Sequence, residues 1–248
     1  MAESSTNYSY CVDPAWQGRA DCANCVIRNM MLFSELPLNS FDNLLQPIVH
    51  ERYDAGALLY HQCEVGTEVL SIRRGLVKLV LLSADGSERI VRLLGGGAVI
   101  GLELLDKSTA YRHSAIALQE VDLCRIPLTT LANLYSRHPE LCKSVGLQLQ
   151  HQVDQTDRWI MQLNTGKART RIAEMLLFLE EANAGQDGVI ELISRDDMAA
   201  VVGITKETAS RVIAEFKRQG LLHHVTPSTY RLETQRLREL IAQEAKHG

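Results

Sequence analysis

Residues 194–220 read Ser-Arg-Asp-Asp-Met-Ala-Ala-Val-Val-Gly-Ile-Thr-Lys-Glu-Thr-Ala-Ser-Arg-Val-Ile-Ala-Glu-Phe-Lys-Arg-Gln-Gly, two short amphipathic segments joined at a glycine. Ser194 is a good N-cap for the first, whose apolar residues Met198, Val201 and Val202 fall on one helical face. Gly203 tolerates the left-handed conformation that ends such a helix, and Ile204 points back toward a core. Thr205 caps the second segment, which buries Ala209, Val212, Ile213 and Phe216. Lys206, Glu207, Ser210 and Arg211 remain on its front. An exposed charged helix face is often only a solvated one. Here the helix, glycine turn and helix spacing predict a DNA-reading helix-turn-helix, because Arg can bind guanine through two hydrogen bonds and Glu accepts from cytosine N4.

Downstream, Leu221–Val225 and Thr229–Leu232 flank Pro227 and predict a hairpin wing. Upstream, a helix over Ala168–Ala182 and a short strand over Val189–Leu192 complete a winged helix-turn-helix. Before that unit, a helical run from Pro139 to about Leu163 carries Cys142, Gly146, Leu149, Val153, Thr156, Ile160 and Leu163 at alternating steps of four and three. That narrow a/d seam predicts a homodimer coiled coil. Residues 50–126 alternate β-like runs (Ala57–Tyr60, Glu68–Ile72, Leu76–Leu82, Arg89–Leu94, Ala115–Leu118, Val121–Ile126) with glycine turns and the hairpin signal Asp85-Gly86. Evenly spaced strands of this kind predict a closed antiparallel sandwich or barrel.

The chain has 248 residues, 46% of them hydrophobic and 23% charged, which suits two soluble domains. Its net charge of −4 gives no general attraction to nucleic acid, but Lys167, Arg169 and Arg171, and then Lys206, Arg211, Lys217 and Arg218, concentrate positive charge locally. No apolar run approaches a membrane span, and residues 1–10 lack a signal-peptide core, so a cytoplasmic location away from the membrane is expected.

A β-roll, a long helix and a winged helix in that order resemble the Crp/Fnr transcription-factor family over nearly the whole chain. The resemblance rests on Gly75 in Arg-Arg-Gly-Leu-Val-Lys, Gly101 after the turn at 95–97, Leu-Cys-Arg-Ile-Pro at 123–127, and Gly-Ile-Thr-Lys-Glu-Thr-Ala-Ser-Arg at 203–211. It implies an α+β fold: a cyclic-nucleotide-binding-like β-roll (a jelly-roll) at 34–136, a dimerisation helix at 137–164 and a winged helix-turn-helix at 165–248, preceded by a cysteine-containing extension at 1–33. The motif at 203–211 is similar to the Fnr branch, where Glu, Ser and Arg at this spacing read a TTGAT-type half-site; here they fall on Glu207, Ser210 and Arg211. The resemblance implies double-stranded promoter DNA and RNA polymerase as partners. The cAMP-binding branch places Gly at the position of Ser210, and a Glu and an Arg-Ser pair in the roll. Those roll positions correspond here to Gly101 and Tyr111-Arg112, which argues against cyclic AMP and leaves Arg112 available to another anion.

Six cysteines outside an oxidising compartment read as thiols, ligands or redox groups. Cys22-Ala-Asn-Cys25 is a CxxC pair, preceded by Cys11. Fnr-like oxygen sensors hold a [4Fe–4S] cluster on three N-terminal cysteines and a fourth from the strand before Ile-Pro. By that resemblance Cys22, Cys25 and Cys124 match. The third N-terminal position falls on Met31 or Phe33, neither of which supplies a thiolate, and Cys11 is the remaining candidate. A flexible extension can deliver it, since loop closure costs grow slowly with length. Cys142 also reads as a small apolar residue of the seam. Cys63 beside His61 leaves haem as a lesser alternative, while His113, His223 and His224 lack metal-ligand spacing. Trp16 and Met30–Phe33 read as packing for the N-terminal segment.

The reading is a DNA-binding regulator that couples oxygen or redox state to promoter binding. A regulator controlled by a small-molecule effector, haem or thiol oxidation is the alternative. An enzyme is not expected, since paired carboxylates, a nucleophile–base pair, a P-loop and a zinc motif are all missing from the sequence.

Overall fold

The computed structural model describes residues 18–22, 25, 32–41, 44, 46–83, 88–106, 108–163, 165–182 and 188–245. Cys11, Trp16, Met30, Met31 and the Asp85-Gly86 turn lie outside the described residues.

The forecast strands are present and, joined by three that the sequence reading did not include (Gly18–Arg19, Val49–Tyr53 and Val99–Ile100), form two antiparallel sheets. One has the order β1 (Gly18–Arg19), β2 (Val49–Tyr53), β9 (Val121–Pro127), β4 (Glu68–Arg74), β7 (Val99–Ile100). The other runs β3 (Leu58–Tyr60), β8 (Ser114–Ala117), β5 (Val77–Leu82), β6 (Glu88–Leu94). Leu70, Ile72, Val77, Leu79, Leu94 and Leu123 fill the interior between them. Gly75 turns the chain from β4 to β5 at φ 90°, and a Cβ there would sit 2.2 Å from the Glu120 carbonyl oxygen. No side chain can replace it without moving backbone.

β9 is buried along almost its whole length because both of its faces are covered. Val121 and Leu123 point into the roll, whereas Cys124 and Ile126 point out beneath Leu32, Phe33 and Leu36 of the N-terminal segment and Leu131 and Leu134 of α1 (Leu128–Arg137). A strand alternates its faces residue by residue, so these neighbouring residues serve two different cores.

α2 (Leu141–Leu163) then lies along the roll. Its Gln152 is buried, donating from Nε2 to the Val99 carbonyl at 2.7 Å, while Gln148 donates to the Gly97 carbonyl at 3.0 Å. An adjoining side, about 100° around the helix, exposes Leu149, Val153 and Ile160, each about half accessible at 48%, 53% and 54%. Leu163 departs from the expected seam. It is 4% exposed and packs in the core of the C-terminal unit of its own chain.

That unit contains α3 (Ala168–Ala182), β10 (Val189–Glu191), α4 (Arg195–Val202), α5 (Lys206–Arg218), β11 (Leu222–His224), β12 (Thr229–Leu232) and α6 (Thr234–Ala245). Its three strands pair in the order β10-β12-β11. Phe216, Met198, Ile213, Leu176 and Leu237 form the centre, and Leu76 and Leu93 of the roll join the same apolar cluster. Lys78 of β5 meets Asp197 of α4 at 2.5 Å, and Gln119 donates to the Glu191 carbonyl at 2.8 Å. The roll and the C-terminal unit are therefore docked through apolar and polar contacts together.

Candidate nucleic-acid interface and thiol site

Local chemistry sets the DNA-facing geometry. The Ser194 hydroxyl accepts from the Asp197 backbone N–H at 3.0 Å and starts α4; Gly203 ends it at φ 68°, in the left-handed region. Thr205 then accepts from the Thr208 N–H and starts α5. Ala209, Val212, Ile213 and Phe216 bury the inner face of α5, which turns Glu207, Ser210 and Arg211 outward, all exposed. Glu207 and Arg211 make no ion pair among the described residues, so both remain available to a ligand.

The other cations expected at DNA are more committed. Lys206 pairs with Asp196 at 2.7 Å, which raises its pKa. Lys217 donates to the Tyr230 hydroxyl at 2.8 Å and lies 4.2 Å from the centre of that ring, tying α5 to the wing. Arg169 bonds Gln219 and pairs with Glu215 and Glu244, and Arg171 donates to the Val202 carbonyl at 2.8 Å. Of the basic run at 167–171, Lys167 alone stands exposed; the two arginines brace the domain.

The second cluster gathers thiols. β1 pairs with β2, and the Ala20 N–H donates to the Ile48 carbonyl at 2.7 Å, which carries the chain toward β9. Cys22 packs half-buried on the cluster containing Cys124 and Ile126. Burial pushes the Cys124 thiol up to about 12; Arg73 opposes this, while Cys22, Cys25 and Asp122 add to it. Cys22 and Cys25 thus each lie near enough to Cys124 to act on it through space. Among the described residues no group of three His, Cys, Asp or Glu side chains has the spacing to hold a single metal ion. The fourth cluster donor of the sequence reading, Cys11, lies outside the described residues.

Sequence reasoning missed the surroundings of Cys124. Asp122 shares its face of β9, bonds His50 across the strand pair, and has Arg73 at 3.9 Å. The i, i+2 spacing of Asp122 and Cys124 was the available signal. Phe33, one of the two positions where a thiolate was absent, is buried edge-on against Phe41 at 5.7 Å. Cys63 is exposed in the turn after β3 at φ 65°, and Cys142 is exposed on α2. Gly146 is exposed there too, and Thr156 is half-buried. His113 is half-buried, with its pKa lowered mainly by burial.

The interior of the roll is occupied by aromatic rings. Tyr60 and Tyr111 stack with centroids 3.7 Å apart and an interplanar angle of 11°, both buried, and the Tyr111 hydroxyl donates to the Glu68 carbonyl at 2.7 Å. Arg112, next to Tyr111 in the chain, is exposed.

A β-roll joined by a long helix to a helix-turn-helix with a capped, outward-facing second helix is the architecture of a DNA-binding regulator. Residues 50–138 match the cyclic nucleotide-binding domain family and residues 170–241 the Crp-like helix-turn-helix domain family. The chain belongs to the Crp/Fnr family of transcription regulators. It is 27% identical to the cyclic AMP receptor protein of Thermus thermophilus, covering 85% of this chain and 96% of that one. It is 25% identical to the transcriptional activator protein Anr of Pseudomonas aeruginosa, over 82% of this chain and 85% of the relative. The fold overlays on FixK2 of Bradyrhizobium japonicum with a TM-score of 0.68 at 22% identity, covering 79% of this chain and 98% of the other. No helix among the described residues is long and apolar enough to cross a membrane.

Proposed function

We propose that this regulator acts as a homodimer that reads a TTGAT-like palindrome and responds to oxygen or redox state through a [4Fe–4S] cluster held by Cys22, Cys25, Cys124 and Cys11. The observation that carries the sensing reading is the convergence of Cys22 and Cys25 on Cys124. Such a cluster supplies an oxygen-labile prosthetic group bound by thiolates. In the protein, Cys22 and Cys25 would tether the N-terminal segment over β9, where Leu32, Phe33 and Leu36 cover the same face as Cys124. Burial keeps the Cys124 thiol protonated, and Arg73 is the group that opposes this toward the thiolate that ligation requires. Loosening that tether uncovers the outer face of β9 and the adjoining α1, and α1 leads directly into α2.

The dimer reading rests on the exposed Leu149, Val153 and Ile160 stripe, with Cys142, Gly146 and Thr156 beside it. A long helix that leaves one side apolar in the single chain buries it against a second copy. Two recognition helices one DNA turn apart then read a palindrome, with Arg211 on guanine, Glu207 on cytosine and Ser210 on a neighbouring thymine. Lys206 and Lys217 serve as phosphate contacts that exchange their internal partners for DNA. At promoters the partner would be RNA polymerase.

Anaerobic reconstitution with iron and sulfide analysis tests the sensor. Cys22→Ala, Cys25→Ala and Cys124→Ala each lose the cluster, and Cys63→Ala retains it. Full iron and sulfide in Cys11→Ala would remove Cys11 from the ligand set. A colourless, iron-free wild-type protein after reconstitution favours the alternative of a thiol- or effector-controlled regulator, for which the missing thiolate at Phe33 is the motivating observation.

A further inference from the structure

A cavity of about 320 Å³ opens where three parts of the chain meet. β6 contributes Arg92 and Leu93, α2 contributes Gln155 and Trp159, and α3 and α6 contribute Phe178 and Arg238. None of Gly101, Tyr111 or Arg112 lines it, so it is separate from the roll interior that the tyrosines fill. Its volume lies within the range of small-ligand sites, at an interface between domains where such sites concentrate.

The walls specify the chemistry. Leu93, Trp159 and Phe178 offer flat apolar surface. Arg92 is held by Gln152 at 3.3 Å, and Arg158 faces Glu181 at 3.6 Å. Arg238 has no ion pair among the described residues. The remaining carboxylate, Glu174, has its pKa raised by burial and by Glu181, which weakens the negative side of the balance. The cavity therefore favours an anion. Gln155 adds a buried side-chain oxygen with no hydrogen-bond partner among the described residues. A buried acceptor of this kind calls for a donor from a bound molecule.

We infer that this interdomain cavity binds a small aromatic carboxylic acid carrying an O–H or N–H donor, its carboxylate on Arg238 and its donor on Gln155. Such a ligand touches the roll, the long helix and the DNA-binding unit at once, so its affinity and the docking of the two units are linked. The site uses none of the cysteines and stands whether or not a cluster is present.

Calorimetry on the full chain without DNA tests it. 4-Hydroxyphenylacetate binds saturably at one per chain, while the neutral 4-hydroxyphenylacetamide binds about tenfold more weakly or worse. Phenylacetate, lacking the donor, also binds more weakly than the hydroxylated acid. Arg238→Gln, at an exposed position, erases the preference for acid over amide, a change that a merely structural role would not produce. Ile241 also lines the cavity, and Ile241→Trp, which fills it, abolishes binding in a protein whose circular dichroism matches wild type. Equal binding of acid and amide, a preference that survives Arg238→Gln, or no heat from either acid overturns the assignment.

Discussion

In the β-roll the chemistry-bearing side chains are covered: Cys124, His50 and Asp122 are buried, Cys124 beneath the N-terminal segment, and Tyr60 and Tyr111 stack in the interior. In the DNA-binding unit they stand outside, with Glu207, Ser210 and Arg211 exposed on a helix whose other face is core. Groups in the roll are reached only by moving what covers them, whereas the outer face of α5 is open as it stands. A substitution in the roll should therefore register first as stability, and one on α5 as sequence preference.

The largest expected effect is Tyr111→Ala. Removing a buried ring that stacks on Tyr60 should cost about 3–5 kcal/mol of stability by denaturant unfolding, while site selection still returns the same half-site. Burial pushes the Tyr111 phenol up to about 12 from 10.0. The unfolded chain ionises this group first, so its contribution is intact below pH 10 and is lost as pH climbs toward 12. Tyr111→Phe should flatten that alkaline loss. A changed DNA preference in Tyr111→Ala would break the division between the two regions.

Ile160→Glu comes next. On the proposed dimer stripe it sets two like charges against each other across the symmetry axis. Affinity for a palindrome should fall at least a hundredfold, about 3 kcal/mol, with a monomer in sedimentation and near-normal stability of each chain. A persistent dimer would show that the exposed stripe has another occupant.

These expectations also show where the sequence was readable. The helix-turn-helix was legible because its signals are local: Ser194 and Thr205 cap, Gly203 adopts the left-handed turn, and the buried positions of α5 repeat at helical spacing. Six strands of the roll were legible as β-like runs between glycine turns, but β1, β2 and the two-residue β7 were not. What escaped depends on residues far apart in the chain. Tyr60 and Tyr111 meet across 51 positions, and Gln152 looks solvated in sequence until β7 is laid beside it. Leu163 fits the heptad arithmetic, but a straight helix of 3.6 residues per turn drifts from a 3.5 repeat, and by the last turn that position faces the core of α3 and α5. The role of Cys124 was suggested by resemblance, and Asp122 is its neighbour on the same strand, yet its companions His50 and Arg73 come from two other strands.

Arg211→Ala is the direct test on the exposed side of the comparison. It should cost about 1–3 kcal/mol per half-site and relax the preference at guanine. Thermal unfolding should barely change, since Arg211 makes no ion pair among the described residues. Lys217→Ala should weaken all sequences alike and reduce the salt slope by about one. It should also loosen the wing, because Tyr230 loses both a hydrogen bond and a cation above its ring.

The smallest effect belongs to the contact that joins the two regions, Lys78 with Asp197. The side chains are 18% and 23% exposed, so solvent screens the pair incompletely. Asp197→Ala alone is ambiguous: Oδ2 of the same carboxylate accepts from the Ser194 hydroxyl at 2.7 Å, and its loss weakens the start of α4. A double-mutant cycle with Lys78→Ala separates the two, because Ser194 contributes equally to both Asp197 variants and cancels. The coupling should be about 0.5–1 kcal/mol in unfolding, falling at high salt. DNA site preference should stay constant through all four proteins, since α5 is exposed in the docked arrangement. A coupling that appears in site preference instead of stability would mean that the roll sets the orientation of the recognition helix through this pair.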